Sequence, residues 1–211
     1  MKTQRIRADH ADAISLALEV VSHGGLVAFP TDTVYGLGSS VHDAEAIAQL
    51  YRVKERDPSK AIPVLLGDVR DLHLVAKTVS PLARRLAEHY WPGPLTLVVE
   101  RHPRLPTVLG PEPTVGVRIP DHAIARDLLL QTGPLAVTSA NISGGANACD
   151  AQAVIRDLEG KIHLLLDGGA TPGGRPSTVV DCSGEGFPIL RVGPITAEQI
   201  RMTLDSSFRE S

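Results

Sequence analysis

The apolar positions alternate between two periods along the chain. Ile14, Ala17, Leu18 and Val21 recur at helical spacing, with Asp9 as the expected N-cap and Gly24-Gly25 as the stop. Leu26 to Phe29 is then a short continuous apolar run of strand length. Behind Asp43, the stripe Ala44, Ile47, Ala48 and Tyr51 returns to the helical period. The same exchange continues to the end. Strands are expected at Val64–Leu66, Leu95–Val99, Thr114–Pro120, Leu135–Thr138, Ile162–Leu166, Thr178–Cys182 and Ile189–Val192. Helices are expected behind Ser80-Pro81, over Ala123–Leu130, along Ala151, Val154, Ile155 and Leu158, and behind the capping box Thr196–Gln199. Strands alternating with helices predict an α/β protein with an open sheet, flanking helices and a single domain over residues 1–211. Asp205 to Ser211 reads as a polar tail.

Two strand ends carry the polar chemistry. Phe29 runs into Pro30-Thr31-Asp32-Thr33-Val34-Tyr35-Gly36-Leu37-Gly38, read as a glycine-bearing loop. Thr138 runs into Ser139-Ala140-Asn141-Ile142-Ser143-Gly144-Gly145. Loops of this kind, at strand ends of one sheet, present backbone N–H groups and short hydroxyl side chains to a ligand. Cations gather after the second helix at Lys54, Arg56 and Lys60, where Pro58 and Pro63 exclude continued helix. Extended backbone there would point Lys54 and Arg56 to one side as a phosphate clamp; the alternative is a solvated helix end that complements the helix dipole. Arg118, inside an otherwise apolar strand, must face a ligand, a carboxylate or water, because an unpaired buried charge is costly. Gly168 to Ser177 is a long, glycine-rich loop, and the only tryptophan, Trp91, reads as core packing.

Composition narrows the classes. The chain has 211 residues, 43% hydrophobic and 21% charged, with a net charge of −3 and 3% aromatics. No global positive field draws nucleic acid, and little is available for base stacking, so RNA contact would need a local basic patch. No apolar run reaches membrane length and the N-terminus lacks a signal-peptide core, which predicts a cytoplasmic protein with no membrane partner. Cys149 and Cys182 read as reduced thiols, and no histidine cluster has metal-ligand spacing. Walker A and G-x-G-x-x-G patterns are absent, as is any Ser-His-Asp or Cys-His order. Hydroxyls and cations favour holding and polarising phosphate over proton transfer.

Five motifs in order, Pro30–Gly38, Lys54-x-Arg56, Val117-Arg118-Ile119-Pro120, Ser139-Ala140-Asn141 and Ser177–Asp181, resemble the YrdC-domain threonylcarbamoyl-AMP synthases over about Leu16 to Pro194. The resemblance implies a twisted mixed sheet around a large concave basic cavity. It also implies synthesis of threonylcarbamoyl-adenylate, pyrophosphate and water from ATP, L-threonine and bicarbonate, the product feeding a tRNA threonylcarbamoyl transfer machinery. Mg²⁺ would be held mainly by the ATP phosphates, with no protein metal site. By the same resemblance, Lys54, Arg56 and Lys60 form the catalytic basic group. Thr33, Arg118, Thr138, Ser139 and Ser177 contact threonine or carbamate. Arg56, Lys60, Thr114, Ala140, Asn141 and Arg191 contact the nucleotide. The chain departs from the family pattern at Asp57 and Ala61, where many relatives have proline, at Leu65, where some have histidine, and at Val192, where proline is common. The rival classes are an RNA-binding module of the same fold, or a paralogue acting on another carbamoyl compound or on modified tRNA.

Overall fold

The computed structural model describes residues 2–172 and 174–205. Its elements are β1 (Gln4–Arg7), α1 (Ala13–Ser22), β2 (Val27–Phe29), β3 (Gly36–Ser40), α2 (Ala44–Lys54), β4 (Val64–Leu65), α3 (Leu72–Val75), β5 (Ala76–Thr78), α4 (Pro81–Tyr90) and β6 (Leu95–Arg101). These are followed by β7 (Thr114–Arg118), α5 (Ala123–Thr132), β8 (Leu135–Ser139), α6 (Ala151–Leu158), β9 (Leu164–Asp167), β10 (Thr178–Asp181), β11 (Ile189–Arg191) and α7 (Ala197–Asp205). The strands form one mixed sheet in the order β1-β9-β2-β3-β8-β4-β7-β6-β10-β11, with β5 added beside β6. The expected polar tail beyond Asp205 lies outside the described residues.

Burial on both faces explains the continuous apolar strands. Val27 and Phe29 point into a core shared with α1 and α5, through Ala17, Val21, Leu128 and Leu129. Leu26 and Ala28 point into the opposite core, with Ile47 and Leu50 of α2, Leu86 of α4 and Val154 of α6. The helix starts follow the side chains that satisfy their free N–H groups. Asp43 Oδ1 accepts from the Glu45 and Ala46 amides at 3.0 and 2.9 Å. Asp150 Oδ1 accepts from Ala153 at 2.7 Å, and Thr196 and Gln199 close a reciprocal capping box. The expected cap at Asp9 does not form: α1 starts after Asp12, and Asp9 instead pairs with Arg7 at 2.5 Å. Trp91 packs half-buried against the core and donates Nε1–H to the Leu95 carbonyl at 2.7 Å.

Three strands escape the apolar pattern. β1 is exposed and polar, and is held by parallel pairing with β9 rather than by its own burial. β5 is a three-residue strand at the side of β6. The glycines of the first motif do not form a loop: Gly36–Ser40 is strand β3, paired antiparallel with both β2 and β8. A Cβ at Gly36 would lie 2.8 Å from Val137 Cγ1, so glycine here permits close packing rather than a turn.

Candidate active site

A cavity of about 360 Å³ opens over the central strands. Its floor includes Gly36 of β3, Leu65 of β4, Gly116 of β7, Thr96 of β6 and Val137 of β8. Its walls bring together Thr33, Arg56, Arg118, Thr138, Ser139, Ser177 and Arg191, which are spread over nearly 160 positions of sequence.

At one end Arg118 is buried, 6% exposed, with its guanidinium largely engaged. Nε donates to the Gly93 carbonyl at 3.0 Å, Nη1 to Thr33 Oγ1 at 3.0 Å, and Nη2 to the Asp32 carboxylate in an ion pair. Burial pulls the Arg118 pKa down, Asp32 opposes this and the Arg191 cation adds to it; the guanidinium stays charged. The hydroxyls beyond it have a defined proton direction. Thr31 Oγ1 donates its single proton to the Val34 carbonyl at 2.7 Å, so in the 3.0 Å contact between Thr31 and Thr33 the proton belongs to Thr33. The chain therefore runs from Arg118 through Thr33 and Thr31 to the Val34 carbonyl. Thr33 keeps one lone pair and can meet a ligand only as an acceptor.

The other end is differently charged. Arg56 is half-buried and donates only to neutral acceptors, through Nε to the Lys60 carbonyl at 2.9 Å and Nη2 to the Ala61 carbonyl at 2.8 Å. Arg191 donates Nε–H to the Ser177 carbonyl at 2.9 Å and Nη2–H to Ser177 Oγ at 3.1 Å; that Oγ lies 2.7 Å from Thr96 Oγ1. Among the described residues neither Arg56 nor Arg191 forms an ion pair. Burial lowers the pKa of both, and the Arg56 cation further lowers that of Arg191. Two guanidinium groups without an ion pair, one of them tempered by the field of Asp57, form a site for a polyanion over a concave surface.

Lys54 does not join them. Glu55 adopts the left-handed conformation (φ 52°, ψ 41°) that ends α2, so Lys54 and Arg56 are not on one extended strand. Lys54 is 1% exposed, and its ammonium donates to the Ser139 carbonyl at 2.5 Å and to the Asn141 carbonyl. Its own carbonyl accepts from the Ser143 amide at 2.9 Å. Burial, then the Arg56 charge, push its pKa down to about 8. Its place is beneath the turn after β8, which it holds.

Lys60 is exposed and, like Thr114, Ala140 and Asn141, does not line the cavity. Ala140 is buried, its amide donating to the Tyr35 carbonyl, and the Asn141 amide group donates to the Ile142 and Gly145 carbonyls. Three of the four departures from the family pattern have local accounts, and Val192 is an exposed side chain for which the structure gives none. Asp57 folds its turn by accepting from the Ser59 amide at 2.9 Å. Ala61 and Leu65 give the cavity an apolar surface.

The sequence reading missed Thr31, Thr96 and Asn147 as lining residues and Asp32 as the partner of Arg118. For Thr31 and Asp32 the signal was their adjacency to Thr33. Tyr35 is fully buried; its hydroxyl donates to the Gly169 carbonyl at 2.7 Å and accepts from the Gly168 amide at 3.1 Å. Burial raises its pKa to about 12, so it braces the loop as a neutral phenol. Among the described residues no cluster of three or more histidine, cysteine or carboxylate side chains could hold a metal ion, and no helix is long and apolar enough to cross a membrane.

Fold and cavity define the class: an open-sheet α/β protein with an arginine-lined ligand cavity. Residues 19–193 match the Sua5–YciO–YrdC family model, which carries the description "Telomere recombination", and the chain belongs to this family. It is similar to the threonylcarbamoyl-AMP synthase of Pyrococcus abyssi, with 38% identity over 90% of this chain and 57% of that protein. The threonylcarbamoyl-AMP synthase of Bacillus subtilis is 36% identical over 97% of this chain and 62% of that protein. The chain thus spans about three-fifths of the length of these two relatives. Among solved structures, that of P. abyssi Sua5 complexed with L-threonine superposes with a TM-score of 0.90 at 36% identity, covering 96% of this chain and 60% of that one.

Proposed function

We propose that the chain is an L-threonylcarbamoyladenylate synthase, forming threonylcarbamoyl-AMP, pyrophosphate and water from ATP, L-threonine and bicarbonate. The observation that carries this reading is the division of one cavity into a hydroxyl-lined end at Thr33 and Arg118, where Asp32 pairs with Arg118 from outside the lining, and a cationic end at Arg56 and Arg191, which form no ion pair among the described residues. An amino acid suits the first and a triphosphate the second. The threonine-bound relative supports the choice of amino acid.

In this reading threonine binds as a zwitterion, its ammonium gives up a proton to solvent, and the resulting amine adds to bicarbonate, losing water to give a carbamate. A carbamate oxygen then bonds to the α-phosphorus while the bond to pyrophosphate breaks. The carbamate is already anionic, so this step needs no protein base. Arg118 and Thr33 orient the amino acid, and Thr138, Ser139 and Ser177 line the junction. Arg56 and Arg191 hold phosphate charge in place, which is most of what phosphoryl transfer asks of a protein. Mg²⁺ arriving with ATP would neutralise phosphate charge and would be held by phosphate oxygens and water.

Lys54 enters as support for the Ser139–Asn141 turn. Thr114, Ala140, Asn141 and Lys60 remain proposed neighbours of the nucleotide beyond the cavity lining. The reading takes residues 1–211 as one catalytic domain, cytoplasmic, with free thiols at Cys149 and Cys182. It passes its product to a tRNA threonylcarbamoyl transfer machinery. The test is incubation with ATP, Mg²⁺, bicarbonate and L-threonine, followed by mass spectrometry. Threonylcarbamoyl-AMP and threonine-dependent pyrophosphate are expected; absence of both overturns the assignment.

A further inference from the structure

The Arg118 end of the cavity contains a cation whose charge is already balanced. The side chains of Arg118 and Asp32 are 7% and 12% exposed, and the pair they form is the least exposed ion pair among the described residues. Three of the five guanidinium N–H groups are committed, to Gly93, Thr33 and Asp32, which leaves one on each terminal nitrogen. Only Oδ1 of Asp32 is engaged, so Oδ2 retains its capacity to accept among the described residues. His122 also feels the Asp32 charge, but burial lowers its pKa, so the ring adds no charge at neutral pH. A ligand arriving here meets free N–H donors, an acceptor-only hydroxyl on Thr33, and an ion pair whose own charges cancel, with the field of the Arg191 cation reaching it from across the cavity.

That combination discriminates between kinds of carboxylate. A simple carboxylate would gain the free N–H groups but add a second negative charge beside Asp32 in a desolvated place. It would also bring no donor for Thr33. A zwitterion leaves the balance of the Arg118–Asp32 pair unchanged and brings an ammonium, the group that the Thr33 lone pair and a nearby carboxylate both favour.

We propose that Asp32 is a specificity-determining residue: by compensating Arg118, it makes this end of the cavity select a carboxylate that carries its own adjacent cation, as an α-amino acid does, over a simple carboxylic acid. The inference rests on the assignment of this end to threonine. Asp32 acts through Arg118 and through the field, and so is a positioning residue rather than a catalytic one.

Titration calorimetry without ATP tests it, using L-threonine and 3-hydroxybutanoate, which keeps the carboxylate and hydroxyl of threonine but lacks the amine. The wild type is expected to prefer threonine by about tenfold or more, and Asp32→Asn to shrink that preference by roughly tenfold. Asp32→Glu is expected to retain the preference, and a thermal melt records the fold of each variant. An unchanged preference in folded Asp32→Asn overturns the role of Asp32. Equal wild-type affinity for the two ligands also overturns it, with no variant needed. Failure of the wild type to bind threonine is a separate result and overturns the substrate assignment itself.

Discussion

Arg118 and Arg56 line the same cavity and spend their charge in opposite ways. Arg118 is buried and balanced by a carboxylate, whereas Arg56 is half-buried and satisfied only by two carbonyls. The first keeps a fixed fork of donors with little net field; the second keeps its field and has modest anchoring. In the proposed reading, a cation that orients a neutral zwitterion and one that holds a polyanion need these different surroundings. Counting positive residues in a motif does not distinguish them.

The comparison breaks most visibly through stability. Arg118→Ala would leave Asp32 without its partner in a nearly dry place, and urea unfolding should show a loss of roughly 3–5 kcal/mol. Arg118→Lys should recover only part of this, since a point charge cannot span Gly93, Thr33 and Asp32 together. Arg56→Ala should do the reverse. Threonine-dependent pyrophosphate release should fall by about 100-fold, with the melting temperature close to wild type, because the lost bonds join an exposed turn. If Arg56→Ala unfolds the protein while Arg118→Ala does not, the contrast between the two ends is wrong.

Lys54 supplies the smallest and sharpest test, as a buried cation with neutral acceptors. Its pKa falls from the ordinary lysine value of 10.5 to about 8 on folding. Between those values the unfolded chain holds a proton that the folded chain has released. The Lys54 contribution therefore increases stability as pH rises through this window, and the gain is lost as pH falls through about 8. Lys54→Met removes the titration, so the gap in unfolding free energy between wild type and variant should change between pH of about 7.5 and 10.5. A gap independent of pH would place the Lys54 ammonium in water.

Most of the sheet was legible because its strands are buried on both faces and read as apolar runs. β1 was not, since its stability comes from pairing with β9 rather than from its own side chains. β3 was hidden by glycines whose purpose, close approach to Val137, depends on a strand a hundred residues away. In the site, Arg118 was legible: an arginine in an apolar strand had to meet a carboxylate, ligand or water, and it meets Asp32. Which carboxylate was beyond local pattern, because the pair is 86 positions apart. Lys54 was misdirected by a single backbone angle at Glu55, which no spacing rule encodes.

The place of β9 in the sheet has a consequence in time. It lies between β1 and β2, pairing Leu164 with both Gln4 and Val27. During synthesis the first two strands therefore wait for residues made some 140 positions later, and only then can the sheet close around that insertion. Thr33 belongs to the early part of the chain, and Ser177 and Arg191 to the last. A complete cavity is thus a late event of folding, and a ligand that binds both walls would act as a sensor that the whole sheet has assembled.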